Sequence, residues 1–180
     1  FEYLERAKQK MMVVIPITFI IIVMLLGLSF KQVSQIAIVL SVIPLSLVGG
    51  IWLLYLLNFQ FSVAVSVGFI ALAGVAVETA VIMLVYLSPT TEGETIPIVA
   101  DKQHLKQRIL TAASRRVRPV MMTAMSIIVG LLPVLYATGT GAEVMQRIAA
   151  PLVGGMISAL LVTLFIVPVV YYLVEGARRS

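Results

Sequence analysis

Charged residues fall in short clusters separated by long uncharged runs: residues 11–30, 32–77, 79–91, 119–142 and 148–174 contain no Asp, Glu, Lys or Arg. A hydrocarbon slab of roughly 30 Å is crossed by about 20 apolar helical residues. The run 32–77 holds two spans, and Asn58, Phe59 and Gln60 supply a polar turn in its middle. Five membrane-spanning helices are predicted, over about 12–30, 36–57, 62–87, 119–137 and 148–174. The predicted fold is all-α: a polytopic membrane protein whose five-helix transmembrane bundle carries one additional amphipathic helix.

Between the third and fourth spans lies the one long hydrophilic stretch, residues 88–118, and it divides in two. SPTTEGETIP carries Pro89, Gly93 and Pro97, and reads as a loop. DKQHLKQRILTAASRR then places Leu105, Ile109, Leu110 and Ala113 along one side, with Asp101 as N-cap. That pattern predicts a basic amphipathic helix on the membrane surface, with His104 on its solvated side. At the start, FEYLERAKQKMM spaces Tyr3, Leu4, Ala7 and Met11 helically between charges, predicting an amphipathic segment over 1–11 that runs into the first span. The organisation expected is therefore 1–11 amphipathic segment, 12–87 three spans, 88–118 loop with amphipathic helix, 119–174 two spans and 175–180 tail.

Charge adds orientation. With five spans the chain ends lie on opposite sides of the membrane. Arg6, Lys8, Lys10 and Arg147 fall on one side, and Lys31, Lys102, Lys106, Arg108, Arg115, Arg116, Arg118, Arg178 and Arg179 on the other. Cytoplasmic loops carry the excess of Lys and Arg, so the N-terminus is expected outside, in the periplasm of a bacterium, and the C-terminus in the cytoplasm. A chain that opens at Phe1 without an initiator Met or signal peptide is expected to follow an upstream segment that delivers that end across the membrane. The net charge of +5 sits beside the spans as a topology signal, which argues against nucleic acid as a partner. Composition agrees with the bilayer as solvent: 61% of residues are hydrophobic and only 12% charged, about half the charged share of a soluble domain. Cysteine is absent and His104 is the one histidine, so disulfides, Cys or His nucleophiles and zinc clusters are unsupported. No nucleophile with a neighbouring base and no phosphate loop appears, so an enzyme is not expected and no cofactor is implied.

Glu78 is the ionisable residue set well inside a span, nine positions from the end of the third, or roughly 14 Å along a helix. A carboxylate at that depth costs on the order of 3 kcal/mol, and such groups commonly mark ion or proton pathways. The competing reading is a structural hydrogen-bond partner. Arg116, at the foot of the fourth span, and Thr123, two turns further in on the same face, could complete a water-bridged proton wire with Glu78. Arg116 also belongs to a basic cluster that would anchor the helix end regardless. Of the nine methionines, Met121 and Met125 share a helical face; thioethers suit soft ions such as Cu(I) but also fill gaps in apolar packing. In the last span Ala150, Gly154 and Ser158, and likewise Pro151, Gly155 and Ala159, repeat every fourth position. Such small-residue stripes let another helix approach closely.

The strings GFIALAGVAVETAVIMLVYL at 68–87, RRVRPVMMT at 115–123 and GLLPVLYATGTGAEVMQRIAAPLVGGMISALLVTLFIVPVVYYL at 130–173 resemble the last membrane helices of resistance-nodulation-division (RND) pumps of the heavy-metal efflux subfamily. The likeness covers nearly the whole chain, which would correspond to the eighth to twelfth of twelve helices. The resemblance implies a homotrimeric proton antiporter of the bacterial inner (plasma) membrane. Such a pump exchanges protons for metal ions, Cu(I) and Ag(I) in the members most like this chain, and passes them through a periplasmic adaptor to an outer-membrane channel. It also implies that Glu78 stands where metal pumps carry Glu and drug pumps Lys. Arg116 and Thr123 match the family's eleventh-helix arginine and threonine, and Met145 in AEVMQRIAAP matches a methionine on the metal path. One position departs: the copper and silver members carry a relay lysine after the RVRP proline, where this chain has Val120. Two alternatives stand beside this reading: a helical scaffold that transports nothing, or an RND pump for zinc and cobalt or for drugs.

Overall fold

A computed structural model describes residues 2–30, 32–87 and 102–178. The 88–100 loop and the Asp101 cap predicted above lie outside the described residues, as does the His104 side chain. Six α-helices follow in order: α1 Glu2–Ser29, α2 Val33–Leu56, α3 Val63–Leu87, α4 Lys102–Leu135, α5 Ala142–Leu161 and α6 Val167–Arg178; a single π-helical turn, Val162–Ile166, joins the last two. Five helical segments among the described residues are long and apolar enough to cross a membrane: Gln9–Ser29, Val33–Leu56, Val63–Leu87, Ile109–Leu135 and Ala142–Gly176. The chain is thus an all-α polytopic membrane protein. The amphipathic stretch expected before the fourth span is helical but forms no separate element. It is the first part of α4, which runs unbroken through Pro119 because the proline withholds only its own N–H and neighbouring groups can compensate.

Phe1–Ala37 and Ile38–Ser180 form two units. In the first, α1 continues the N-terminal segment directly into the first span, and Thr18 Oγ1 donates to the Val14 carbonyl (2.8 Å), a local bond that satisfies a hydroxyl inside an apolar helix. Its large apolar residues from Met12 to Leu28 are mostly exposed, the character of a helix whose solvent is hydrocarbon.

In the second unit α5 is the spine, with Ala149, Ala150, Pro151, Val153, Gly154, Gly155, Met156 and Ala159 buried. Its two stripes of small residues pack against α2 and α3. Gly154 faces Gly49 and Leu53 of α2 so closely that a Cβ on either glycine would collide with the opposite helix, and Ser158 Oγ donates to the Ser46 carbonyl across the same seam (2.8 Å). On the other stripe Pro151 lies against Gly68 of α3, and the Leu72 side chain fills the space over Gly155. Without a hydrophobic drive between helices in lipid, close packing and interhelical hydrogen bonds do the joining.

The α2–α3 corner is set by Asn58, which adopts a left-handed conformation with φ of 54°. Phe59 N–H donates to the Leu54 carbonyl (3.1 Å) and Asn58 N–H to that of Tyr55 (3.2 Å), the paired closure of a Schellman motif with Asn at its left-handed position. Phe59 then packs on the Leu54, Val65 and Ala150 cluster, which locks the direction of α3. The last span is 35 residues long, or about 52 Å of helix. That exceeds the roughly 30 Å slab, so it tilts or projects beyond it.

Candidate functional site

A cleft of about 250 Å³ runs between α3 and α4, lined by Val75, Glu78, Thr79 and Ile82 from α3, by Arg116, Pro119, Val120, Thr123 and Ile127 from α4, and by Met156 of α5. Each helix contributes one face, because the α3 residues fall at i, i+3, i+4 and i+7 and the α4 residues at i, i+3, i+4, i+7 and i+11. The three residues singled out from the sequence as a proton wire, Glu78, Arg116 and Thr123, therefore share one cleft.

Glu78 is exposed within this chain, whereas Leu72, Ala76, Ala80, Met83 and Leu84 of the same helix are fully buried. Two residues on from Ala76, Glu78 points about 200° round the helix from it. The carboxyl is thus directed away from α3's buried stripe and onto the cleft.

The hydroxyl groups have a common arrangement. Thr79 Oγ1 donates to the Val75 carbonyl (2.7 Å) and Thr123 Oγ1 to that of Val120 (3.0 Å). Each proton is held by its own helix, which leaves oxygen lone pairs able to accept from water or a protonated carboxyl in the cleft. Arg116 is half-buried, and its guanidinium Cζ lies 3.7 Å from the centroid of the Tyr86 ring. Its Nε is buried and makes no hydrogen bond. Val120, where the resemblance led one to look for a lysine, is 5% exposed and lines the cleft as an apolar wall. Arg116 is the one cation among the lining residues.

Met145 is not brought into this site. It occupies the first turn of α5, is 57% exposed, and precedes Met156 by 11 positions, about 16 Å along the helix. Met121 and Met125 are exposed and absent from the cleft lining, while Met156, which is 3% exposed, is part of it. Among the described residues no group of three or more His, Cys, Asp or Glu could hold a metal ion. Sequence reasoning passed over Thr79, Tyr86 and Met156. Thr79 and Tyr86 could have been found by extending the Glu78 face along α3 to i+1 and i+8; Met156 depends on how α5 crosses the other two helices, which no spacing rule supplies.

The chain matches the model of the AcrB/AcrD/AcrF family over residues 1–175. It is 49% identical over 176 residues to the cation efflux system protein CusA of Escherichia coli K12, an alignment covering 96% of this chain and 17% of that protein. To the cobalt-zinc-cadmium resistance protein CzcA of Cupriavidus metallidurans it is 35% identical over 173 residues, covering 96% and 16%. A crystal structure of a heavy metal efflux pump superposes with a TM-score of 0.83 at 36% identity, over 97% of this chain and 17% of that one. The chain spans about one sixth of the length of these relatives. The family match over nearly every residue, together with these identities, places the chain in the AcrB/AcrD/AcrF family of RND proteins, among its CusA-like heavy-metal efflux members.

Proposed function

We propose that the chain is the C-terminal membrane part of a proton-driven heavy-metal efflux pump, with Glu78 as the proton-carrying group and Arg116 and Thr123 as its partners. The observation that carries this reading is the convergence of the three on one cleft between α3 and α4. Glu78 and Arg116 line the same cleft, and a carboxyl attracts a guanidinium only while it carries its charge. Taking up and releasing a proton therefore changes the preferred arrangement of the helices around it. Thr123 and Thr79 supply acceptor oxygens for water that would bridge the steps. Orientation follows the positive-inside reading, with the N-terminus periplasmic and the C-terminus cytoplasmic, in a bacterial inner membrane.

The proposed cargo is Cu(I) and Ag(I). The soft thioether of Met145, exposed in the first turn of α5, suits those ions better than harder ones. The assembly proposed is a homotrimer working with a periplasmic adaptor and an outer-membrane channel, as the resemblance implies, and the chain's role is transport, not catalysis of a bond change. Val120 in place of a lysine favours one second reading, a pump for zinc and cobalt, and the similarity to CzcA is in keeping with it. Metal uptake by inverted vesicles containing the whole pump tests both parts. Under the proposal a pH gradient drives uptake of Ag(I), with zinc and cobalt far slower, and Glu78→Gln abolishes it. Retained gradient-driven uptake in Glu78→Gln would sink the relay, and preference for zinc would replace the cargo.

A further inference from the structure

Tyr86 continues the cleft face of α3. It lies four residues beyond Ile82 and eight beyond Glu78, about 12 Å along the helix from the carboxyl position. Arg116 opens the cleft face of α4. The two helices run past each other in opposite senses, so Tyr86 and Arg116 meet at the same end of the cleft, with the guanidinium carbon 3.7 Å from the ring centroid. Two features separate this contact from ordinary surface packing. The Arg116 Nε is buried and unpaired, so no hydrogen bond at that atom fixes the side chain. Tyr86 is 52% exposed, so it is not held as part of the core, and its ring face is what the guanidinium rests on.

We infer that Tyr86 is the positioning residue for the relay arginine: its ring seats the Arg116 guanidinium at the end of the cleft, fixing where the single lining cation stands relative to Glu78. The inference rests on the relay reading above. A ring face attracts a cation through its quadrupole, independently of the phenol hydroxyl. The hydroxyl is therefore dispensable and the ring is not. Loss of the ring leaves a flexible cation with no fixed seat, and proton transfer through the cleft loses the geometry on which its rate depends.

The test uses the whole pump in proteoliposomes, with Ag(I) as cargo and an imposed pH gradient, and turnover normalised to the pump present in the vesicles. Tyr86→Leu is expected to lower turnover roughly 3- to 10-fold, the range for a single cation–π contact, with the KM for metal unmoved. Tyr86→Phe and Tyr86→Trp, which keep a ring face, retain most of the turnover. In an Arg116→Ala background Tyr86→Leu adds no further loss, since nothing remains to be seated. Wild-type turnover in Tyr86→Leu, an equal loss in Tyr86→Phe, or additive losses with Arg116→Ala would each overturn the inference. Glu78→Gln in the same assay separates the levels. If it is inactive while Tyr86→Leu is normal, only the positioning role fails; if it pumps normally, the relay reading fails and the role of Tyr86 falls with it.

Discussion

Gly154→Ala probes what holds the bundle together. A Cβ built at Gly154 lies 2.5 Å from the Gly49 carbonyl oxygen and 2.6 Å from Leu53 Cβ. Favourable carbon contacts lie near 3.5–4.0 Å, so α2 and α5 must part by about 1 Å to admit one methyl group. A gap of 0.5–1 Å forfeits about a quarter to a half of each pairwise dispersion well along the seam. Overpacking of this kind costs roughly 1–3 kcal/mol. The Ser158–Ser46 hydrogen bond at 2.8 Å crosses the same seam, and its loss adds about 0.6 kcal/mol, the average measured for interhelical bonds in a membrane protein. The expected destabilisation is therefore about 2–4 kcal/mol. Gly74 and Gly130 are the controls, because a Cβ at either meets nothing within 4 Å. Alanine there should be neutral or stabilising by up to about 1 kcal/mol through helix propensity. Denaturant titration of the purified protein in mixed micelles, followed by helical circular dichroism, measures all three. Gly154→Ala unfolding together with Gly74→Ala and Gly130→Ala would refute the close-approach account.

Further outcomes follow from single contacts. Asn58→Val should lose about 1–2 kcal/mol in the same titration, the cost of a side chain in left-handed backbone, whereas Asn58→Gly should match the parent. Thr123→Val, which removes the hydroxyl at nearly constant volume, should slow gradient-driven metal transport about tenfold if it bridges water, and Thr123→Ser should restore it. Met145→Leu keeps volume but removes sulfur; silver resistance of cells carrying the whole pump should fall while zinc tolerance stays level, and an unchanged silver threshold would remove Met145 from the proposed metal path.

The spans were legible because hydrocarbon imposes one rule on every residue of a crossing helix: a charge at position 78 stands out only against the uncharged runs on either side. The stripes at Ala150–Gly154–Ser158 and Pro151–Gly155–Ala159 were legible as packing faces, since small residues four apart have one geometric consequence. That the first meets α2, while Pro151 of the second lies against both Gly50 of α2 and Gly68 of α3, was not, because it depends on crossing angles between distant segments. Helical spacing placed Arg116 and Thr123 on one face, but their convergence with Glu78 across two helices needed the fold. The pairing of Arg116 with Tyr86 escaped for the same reason. The spacing around 101–116 predicts a helix distinct from the span that begins at 119; the structure joins the two as α4, which runs through Pro119, since in a membrane bundle a proline removes one hydrogen bond without ending the helix.

Proton flux itself addresses the central claim most directly. A pH-sensitive dye inside proteoliposomes of the whole pump reads proton movement when metal is added to one side. Glu78 as the carrier predicts metal-dependent flux in the parent protein, reduced flux in Glu78→Asp and none above the leak of empty vesicles in Glu78→Gln. Parent-level, metal-dependent flux in Glu78→Gln would contradict it.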